Sequence, residues 1–273
     1  MKPTNCFSLT IIVLLIICFS CKKENGVNNI NNDITETLPL VQTAVSTDVN
    51  ANCAGFYKAL PARYDSTTKK YPLLIFLHGS GETGNGTTDL PKVLNNAVPN
   101  LIKNQMFPAS FVAGDKNYSF IVISPQFKGW PSPADVDAVI GYSIDNFRID
   151  ETRIYVTGLS MGGGATWDYA ALYAGKIAAI VPICGASVAN TGKAKNIADS
   201  NLPVWAFHNE DDYTVPVNST KDYISMINSF NPTPLAKMTL WPIGGHNAWT
   251  KASDPTYKED NLNMYEWMLQ YHR

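Results

Sequence analysis

Cysteine and histidine are both scarce, with 5 and 4 in 273 residues. Beyond residue 21 no C-x-x-C pair and no H-E-x-x-H segment is present, so the spacings that build zinc and redox sites are missing from the folded part. Cys6, Cys18 and Cys21 all fall near the N-terminus, which leaves Cys53 and Cys184 for the folded part. An oxidising compartment would let those two pair, but two buried thiols are the simpler expectation. We therefore expect no metal and no cofactor. Charge of either sign is sparse too. Lys and Arg number 21 and Asp and Glu 23, for a net charge of −2, and no basic block stands out. That argues against nucleic acid as a partner. No internal repeat is visible.

One long apolar run exists, from Leu9 to Phe19, after the basic Lys2. It is shorter than the roughly 20 apolar residues a membrane-spanning helix needs. A basic start followed by a short apolar run reads as a secretory signal over residues 1–20. Ser20 before Cys21 resembles a bacterial lipobox, although Cys18 and Phe19 depart from its usual residues. Cys21 is thus the predicted lipidated first residue of the mature protein. The alternative is a plain signal peptide cut elsewhere, with Cys21 an ordinary thiol. The expected location is exported and membrane-anchored, on the outer membrane, facing either the periplasm or the surface. The lipid would be the only membrane contact. Residues 21–48 are rich in Asn and Thr and poor in aromatics, which predicts a flexible tether. About 220 residues remain from residue 49 to 273, enough for one sizeable α/β domain.

Within that domain, apolar runs alternate with helical patterns. Tyr71–Leu77 and Phe120–Ser124 are continuous apolar runs, as expected for strands covered on both faces. Arg153–Thr157, Ile177–Cys184, Pro203–Phe207 and Lys237–Trp241 are further strands. Gly55–Tyr64 reads as a strand at the edge of the sheet, or one ending at Pro61. Leu90–Gln105 carries a helical pattern that Pro99 should kink or break. Ser132 caps a helix running through Phe147, with Pro133 in its first turn. Gly162–Tyr173, Ser219–Ile227 and Asn261–Gln270 complete the predicted helices. The alternation predicts an α/β fold: a mostly parallel central sheet with helices on both faces. Only about twenty residues separate the strands near Cys184 and Pro203, too few for a large cap domain of the usual ~50 residues or more. The cleft should be open.

Gly158-Leu159-Ser160-Met161-Gly162 directly follows the Arg153–Thr157 strand and precedes a helix. A strand, a glycine-flanked serine and a helix make a sharp turn with the serine at its tip. The helix N-terminus points its N–H groups at that serine. In an open α/β sheet, ligands gather at the carboxyl ends of strands, and three more segments fall there. His78-Gly79-Ser80-Gly81 can offer a backbone N–H to an oxyanion. Ser80 is the chosen donor, with Gly79 and Gly81 as alternatives and Met161 as the second donor. His78 itself reads as a structural hydrogen-bonder. His208 through Pro216 holds three candidate acids, Glu210, Asp211 and Asp212. His208 reads as a packing residue. Gly244-Gly245-His246-Asn247 offers a base on a freely folding loop, and His272 is a solvated terminal residue. The order Ser160, acid, His246 is one of the known orders for a Ser-His-Asp triad.

Several segments together resemble the esterase and "predicted peptidase" branch of the bacterial α/β-hydrolase superfamily. They are Leu77–Gly84, Arg153–Gly163, Pro203–His208, Asp212–Pro216 and Gly245–Trp249. The resemblance runs from about Gly55 to the C-terminus. It lies near the feruloyl and acetyl-xylan esterase-like and the phospholipase/carboxylesterase-like groups. In that family an Asp-x-x-Val-Pro segment supplies the triad acid, which supports Asp212, with Asp211 the alternative and Glu210 third. The family usually has Gly where this chain has Asn209. The resemblance implies a serine esterase acting through an acyl-enzyme. A lipid anchor, export and an open cleft suit a bulky or polymer-attached ester, with acyl groups on carbohydrate or plant polysaccharide as the expected substrate. Trp130 and Trp249 are candidate substrate contacts, and Trp167 fits the core as well as a platform. The rival readings are a serine peptidase and an inactive carbohydrate-binding lipoprotein. A dienelactone hydrolase is disfavoured, because the turn holds Ser and not Cys.

Overall fold

A computed structural model describes residues 35–273 together with residues 1 and 3. The predicted signal, the lipidation site Cys21 and the first half of the predicted tether lie outside the described residues. Among the described residues ten strands are present: β1 (Val41–Asn50), β2 (Cys53–Leu60), β3 (Tyr71–Leu77), β4 (Phe111–Ala113), β5 (Lys116–Tyr118), β6 (Ile121–Phe127), β7 (Ile149–Leu159), β8 (Ala179–Ile183), β9 (Trp205–Asn209) and β10 (Lys237–Trp241). Seven α-helices accompany them among the described residues: α1 (Ala97–Lys103), α2 (Pro133–Asn146), α3 (Met161–Tyr173), α4 (Thr191–Asp199), α5 (Asn218–Asn228), α6 (Trp249–Ala252) and α7 (Met264–Met268).

Eight strands form one sheet in the order β1-β2-β6-β3-β7-β8-β9-β10, and β4 and β5 form a separate hairpin. β1 and β2 are antiparallel to their neighbours, and every pair from β6 to β10 is parallel. The alternation of side chains along a strand divides the core in two. Leu73, Ile75 and Leu77 of β3 face one layer, with Val136 and Val139 of α2, Trp167 and Ala170 of α3, Ile197 of α4 and Tyr223 of α5. Leu74 and Phe76 face the other, with Val98 and Leu101 of α1, Ala252 of α6 and Tyr265 of α7. Helices thus cover both faces, as predicted. The chain reverses its direction of winding at β3. It first crosses to β6 on one side of β3 and then returns to β7 on the other. Ser160 stands at this switch point.

Three local expectations are corrected. The tether boundary at residue 48 is too late, because residues 41–48 pair with β2 as the sheet's outer strand. An outer strand needs little apolar content; Val45 and Val49 pack on the core while most other positions are partly or fully exposed. The predicted helix over Leu90–Gln105 is a 3-10 turn (Leu90–Asn95) followed by α1. The break is at Asn96, which is extended at φ −135° and ψ 157°, and not at Pro99. Pro99 lies in the first turn of α1, where a missing N–H leaves no bond unmade. The closing helix is shorter than predicted and is set by a capping box between Asn263 and Glu266. α4 fills the short stretch between β8 and β9, started by Asn190, whose side chain accepts the Lys193 N–H. That stretch is a covering helix, with no room for a cap domain.

Candidate active site

Strand β7 delivers Ser160 into α3 through a strained residue, at φ 52° and ψ −114°. A non-glycine residue holds such angles only where its surroundings fix them. Here they do. Ser160 N–H donates to the Ile183 carbonyl at 3.0 Å, and its own carbonyl accepts from Gly164 N–H at 2.9 Å and Ala186 N–H at 3.0 Å. A side chain at Gly162 would overlap the Leu77 carbonyl, and one at Gly158 would sit 2.6 Å from Gly162. The two glycines of the motif are therefore needed for close backbone packing between β3, β7 and α3.

The predicted base reaches the predicted nucleophile. His246 Nε2 lies 2.9 Å from Ser160 Oγ, and His246 Nδ1 lies 2.7 Å from Asp212 Oδ2. A carboxylate can only accept, so Nδ1 carries the proton and Nε2 faces the serine hydroxyl as an acceptor. The Asp212 side chain is fully buried and that of His246 is 21 % exposed. Asp212 Oδ1 accepts the N–H groups of Thr214 and Val215, both at 2.9 Å. This Asx-type turn explains the Asp-x-x-Val-Pro spacing physically: the acid folds its own loop and so fixes its second oxygen.

The other two acids of the segment go elsewhere. Asp211 Oδ1 accepts the Gly245 N–H at 2.7 Å, and Glu210 meets Lys221 at 3.4 Å. Sequence reasoning missed what surrounds Asp212. His208 Nε2 lies 3.2 Å from Asp212 Oδ2 and 2.9 Å from the Val215 carbonyl. Both of those atoms accept, so His208 carries its proton on Nε2, and Thr220 Oγ1 donates to Nδ1 at 2.8 Å. Burial holds His208 below the ordinary histidine pKa. Asn209 Nδ2 donates to the Gly245 carbonyl at 2.9 Å. The departure from the family pattern at Asn209 was the one signal available for that contact.

His78 is a structural residue, as predicted. Its Nε2 accepts the Phe127 N–H at 2.9 Å and its Nδ1 donates to the Gly79 carbonyl at 2.6 Å. Burial lowers its pKa to about 4. It ties the loop after β3 to β6, where Ser80 opens a 3-10 turn over Ser80–Glu82. Ser80 and Met161 each stand at the first position of a helical turn, where backbone N–H groups have no acceptor within the turn. Glu82 is buried beneath this turn and accepts from Asn96 Nδ2. Burial raises its pKa.

Trp249 lies edge-on to His246, with ring centroids 5.4 Å apart, and donates from Nε1 to Asn96 Oδ1 at 3.2 Å. Trp130 is 49 % exposed. Its ring edge approaches Gly164 in the first turn of α3, where an added Cβ would sit 2.8 Å from Cζ2. Trp167 is core, stacked on Tyr223 at 4.2 Å. Cys53 and Cys184 are both buried free thiols. Cys184, Asp212 and His246 offer ligand atoms within 4.8 Å of one another. Burial pushes the Cys184 thiol up to about 12, and a metal ligand must be a thiolate. Its S–H instead faces the His246 carbonyl at 3.5 Å.

Comparison with known proteins follows the same lines. The Phospholipase/Carboxylesterase family matches residues 130–253. A bifunctional acetylxylan esterase/xylanase from Neocallimastix patriciarum is 24% identical over 196 residues, covering 72% of this chain and 26% of that protein. A protein described as a carboxymethylenebutenolidase, from Salmonella typhi, is 30% identical over 149 residues, covering 50% of this chain and 53% of that protein. This chain thus spans about a quarter of the one relative's length and about half of the other's. A crystal structure of a thermostable esterase superposes with a TM-score of 0.60 at 24% identity, covering 86% of this chain and 63% of that one. The strand order, the strained serine between β7 and α3, and the superposition on the esterase agree: the chain has the α/β-hydrolase fold and is similar to the Phospholipase/Carboxylesterase family over the segment that holds the serine turn.

Proposed function

We propose that the protein is a serine carboxylic-ester hydrolase that works through an acyl-enzyme. One observation carries this reading: the unbroken Ser160–His246–Asp212 hydrogen-bond chain, with Ser160 held at a strained turn. His246 Nε2 takes the Ser160 proton as Oγ attacks the ester carbonyl. The tetrahedral oxyanion is met by the N–H groups of Ser80 and Met161, each donor worth about 3–4 kcal/mol in comparable sites. As the C–O bond breaks, His246 returns the proton to the leaving alcohol. A water then gives its proton to His246 and attacks the acyl-enzyme, releasing the acid and free Ser160. Asp212 holds the imidazole in the tautomer both steps require.

For substrate we propose acyl esters of carbohydrate or plant polysaccharide, of acetyl or feruloyl type. The mouth of the site supports a bulky ester. Trp249 lies edge-on to His246, and the Trp130 ring edge approaches Gly164 in the first turn of α3. Val188, Tyr213 and Ile243, on the loops after β8, β9 and β10, are 81%, 95% and 83% exposed. The relative named an acetylxylan esterase supports the carbohydrate side. We further propose export and anchoring through a lipid on Cys21, supported by the basic start, the apolar run and Ser20-Cys21. Mass spectrometry of the membrane-bound protein checks this: a diacylglyceryl adduct on Cys21 is expected, and an unmodified or absent Cys21 contradicts it.

The test of function is a panel of acetyl, butyryl, feruloyl and longer acyl esters on simple and sugar alcohols, run with aminoacyl amides alongside. Hydrolysis of the esters, lost in Ser160→Ala, is expected. Amide cleavage outpacing ester cleavage would show a peptidase. Polysaccharide binding with no turnover would show an inactive binding protein.

A further inference from the structure

The loop that carries His246 has little packing of its own. It leaves β10 at Trp241 and enters α6 at Trp249. Pro242, Ile243 and Gly244 are exposed, and nothing lies within 4 Å of a side chain added at Gly245. Yet His246 must meet two partners at once, at 2.7 Å and 2.9 Å. Trp249 packs against the imidazole ring, but the backbone leading into His246 is exposed, so its placement falls to hydrogen bonds.

We propose that Asn209 and Asp211 are positioning residues that clamp the peptide groups of Gly245 and so set His246 between Ser160 and Asp212. The two contacts are complementary. Asp211 Oδ1 accepts the Gly245 N–H at 2.7 Å, and Asn209 Nδ2 donates to the Gly245 carbonyl at 2.9 Å. They grip the peptides on either side of one residue, the residue before His246. Gly245 sits at φ +57°, a conformation that this double grip selects and a glycine accepts readily. Gly244 completes the fit: a Cβ there would overlap the Asn209 amide. Asn209 is the last residue of β9, paired with Trp241 of β10, and is buried. The clamp is therefore anchored in the sheet. The acid segment then does two jobs, with Asp212 orienting the imidazole ring and Asn209 and Asp211 orienting its backbone. Asp211 is not a spare triad acid, because its carboxylate is engaged by the loop.

This inference rests on the Ser160–His246–Asp212 reading, and the experiment separates the two. Steady-state kinetics on the best ester of the panel, fluorophosphonate labelling rates and thermal melts are measured for wild type, Ser160→Ala, Asn209→Ala, Asn209→Asp, Asp211→Ala and Asp211→Asn. A displacement of about 1 Å at a catalytic group lowers rate by up to ~100-fold. Asn209→Ala and Asp211→Ala should each lower kcat and the labelling rate by about 10- to 100-fold, with KM within about two-fold. Asp211→Asn keeps an acceptor oxygen and should recover most of what Asp211→Ala loses. Asn209→Asp turns a carboxylate oxygen on the Gly245 carbonyl and should fall below Asn209→Ala. The low-field Nδ1 proton of His246, read by NMR, should broaden or vanish in the two alanine variants. Wild-type kcat and labelling in both alanine variants would overturn the clamp while leaving the triad standing. Losses that follow the melting temperature, without the Asn/Asp pattern, would reduce it to ordinary stability. A Ser160→Ala protein with full activity would overturn the triad reading itself.

Discussion

The serine turn and the histidine loop hold the two proposed reacting groups in opposite ways. Ser160 is fixed by backbone against backbone: its N–H and carbonyl are both bonded, and Gly162 admits the Leu77 carbonyl where a side chain would stand. His246 rides on an exposed loop fixed by side chains from the acid segment, Asn209, Asp211 and Asp212. The proposed nucleophile is thus part of the fold, whereas the proposed base is added to it. Damage to the backbone packing of the serine turn should cost stability and activity together. Damage near the histidine should cost activity alone.

The largest expected effect is at Ser160. Ser160→Ala should lower kcat by about 10,000-fold or more while leaving the melt unchanged, since the hydroxyl supports no packing. Asp212→Asn comes next, with kcat down by up to ~10,000-fold through the wrong imidazole tautomer. Its stability should fall only modestly, because Oδ1 can still accept from Thr214 and Val215. Gly162→Ala sharpens the contrast. The added methyl meets backbone that cannot retreat, and we expect a loss of about 3 kcal/mol or more in unfolding free energy, read by denaturant titration. A Gly162→Ala protein with wild-type stability and low activity would break the comparison.

The acid limb of stability is a smaller test. His78 is buried and neutral in the fold, with its pKa lowered to about 4 from 6.5. The unfolded chain binds that proton first as pH falls. Its contribution is complete above about 6.5, falls as pH drops toward 4, and levels below, for an upper bound of about 3 kcal/mol. Buried His208 acts in the same direction. Denaturant titration at stepped pH should show this slope in wild type and a reduced one in His78→Asn. An unchanged slope would contradict the structural role of His78.

These contrasts also explain which parts were legible in the amino-acid sequence. The turn at Ser160 was readable because its determinants are contiguous: an apolar strand, two glycines and a helix start within one segment. The Ser160–Asp212–His246 order was readable because each residue falls at a strand end. β1 escaped notice because an outer strand with one half-covered face tolerates the Thr, Ser, Asp and Asn that also mark linkers. α4 escaped because its buried residues are only Ala194, Ile197 and Ala198, too few for a clear period. The clamp on Gly245 and the second histidine on Asp212 are tertiary facts. They join residues of separate loops, or place a ring at a distance no spacing encodes. Only the presence of Asn209 hinted at them.

The central claim is that Ser160 is a nucleophile activated by His246. Intact-mass and peptide mass spectrometry after fluorophosphonate treatment test it most directly. We expect a single adduct on Ser160, abolished in Ser160→Ala and slowed at least ~100-fold in His246→Ala. Ester hydrolysis without an adduct on Ser160, or an adduct that forms as fast without His246, would contradict the account.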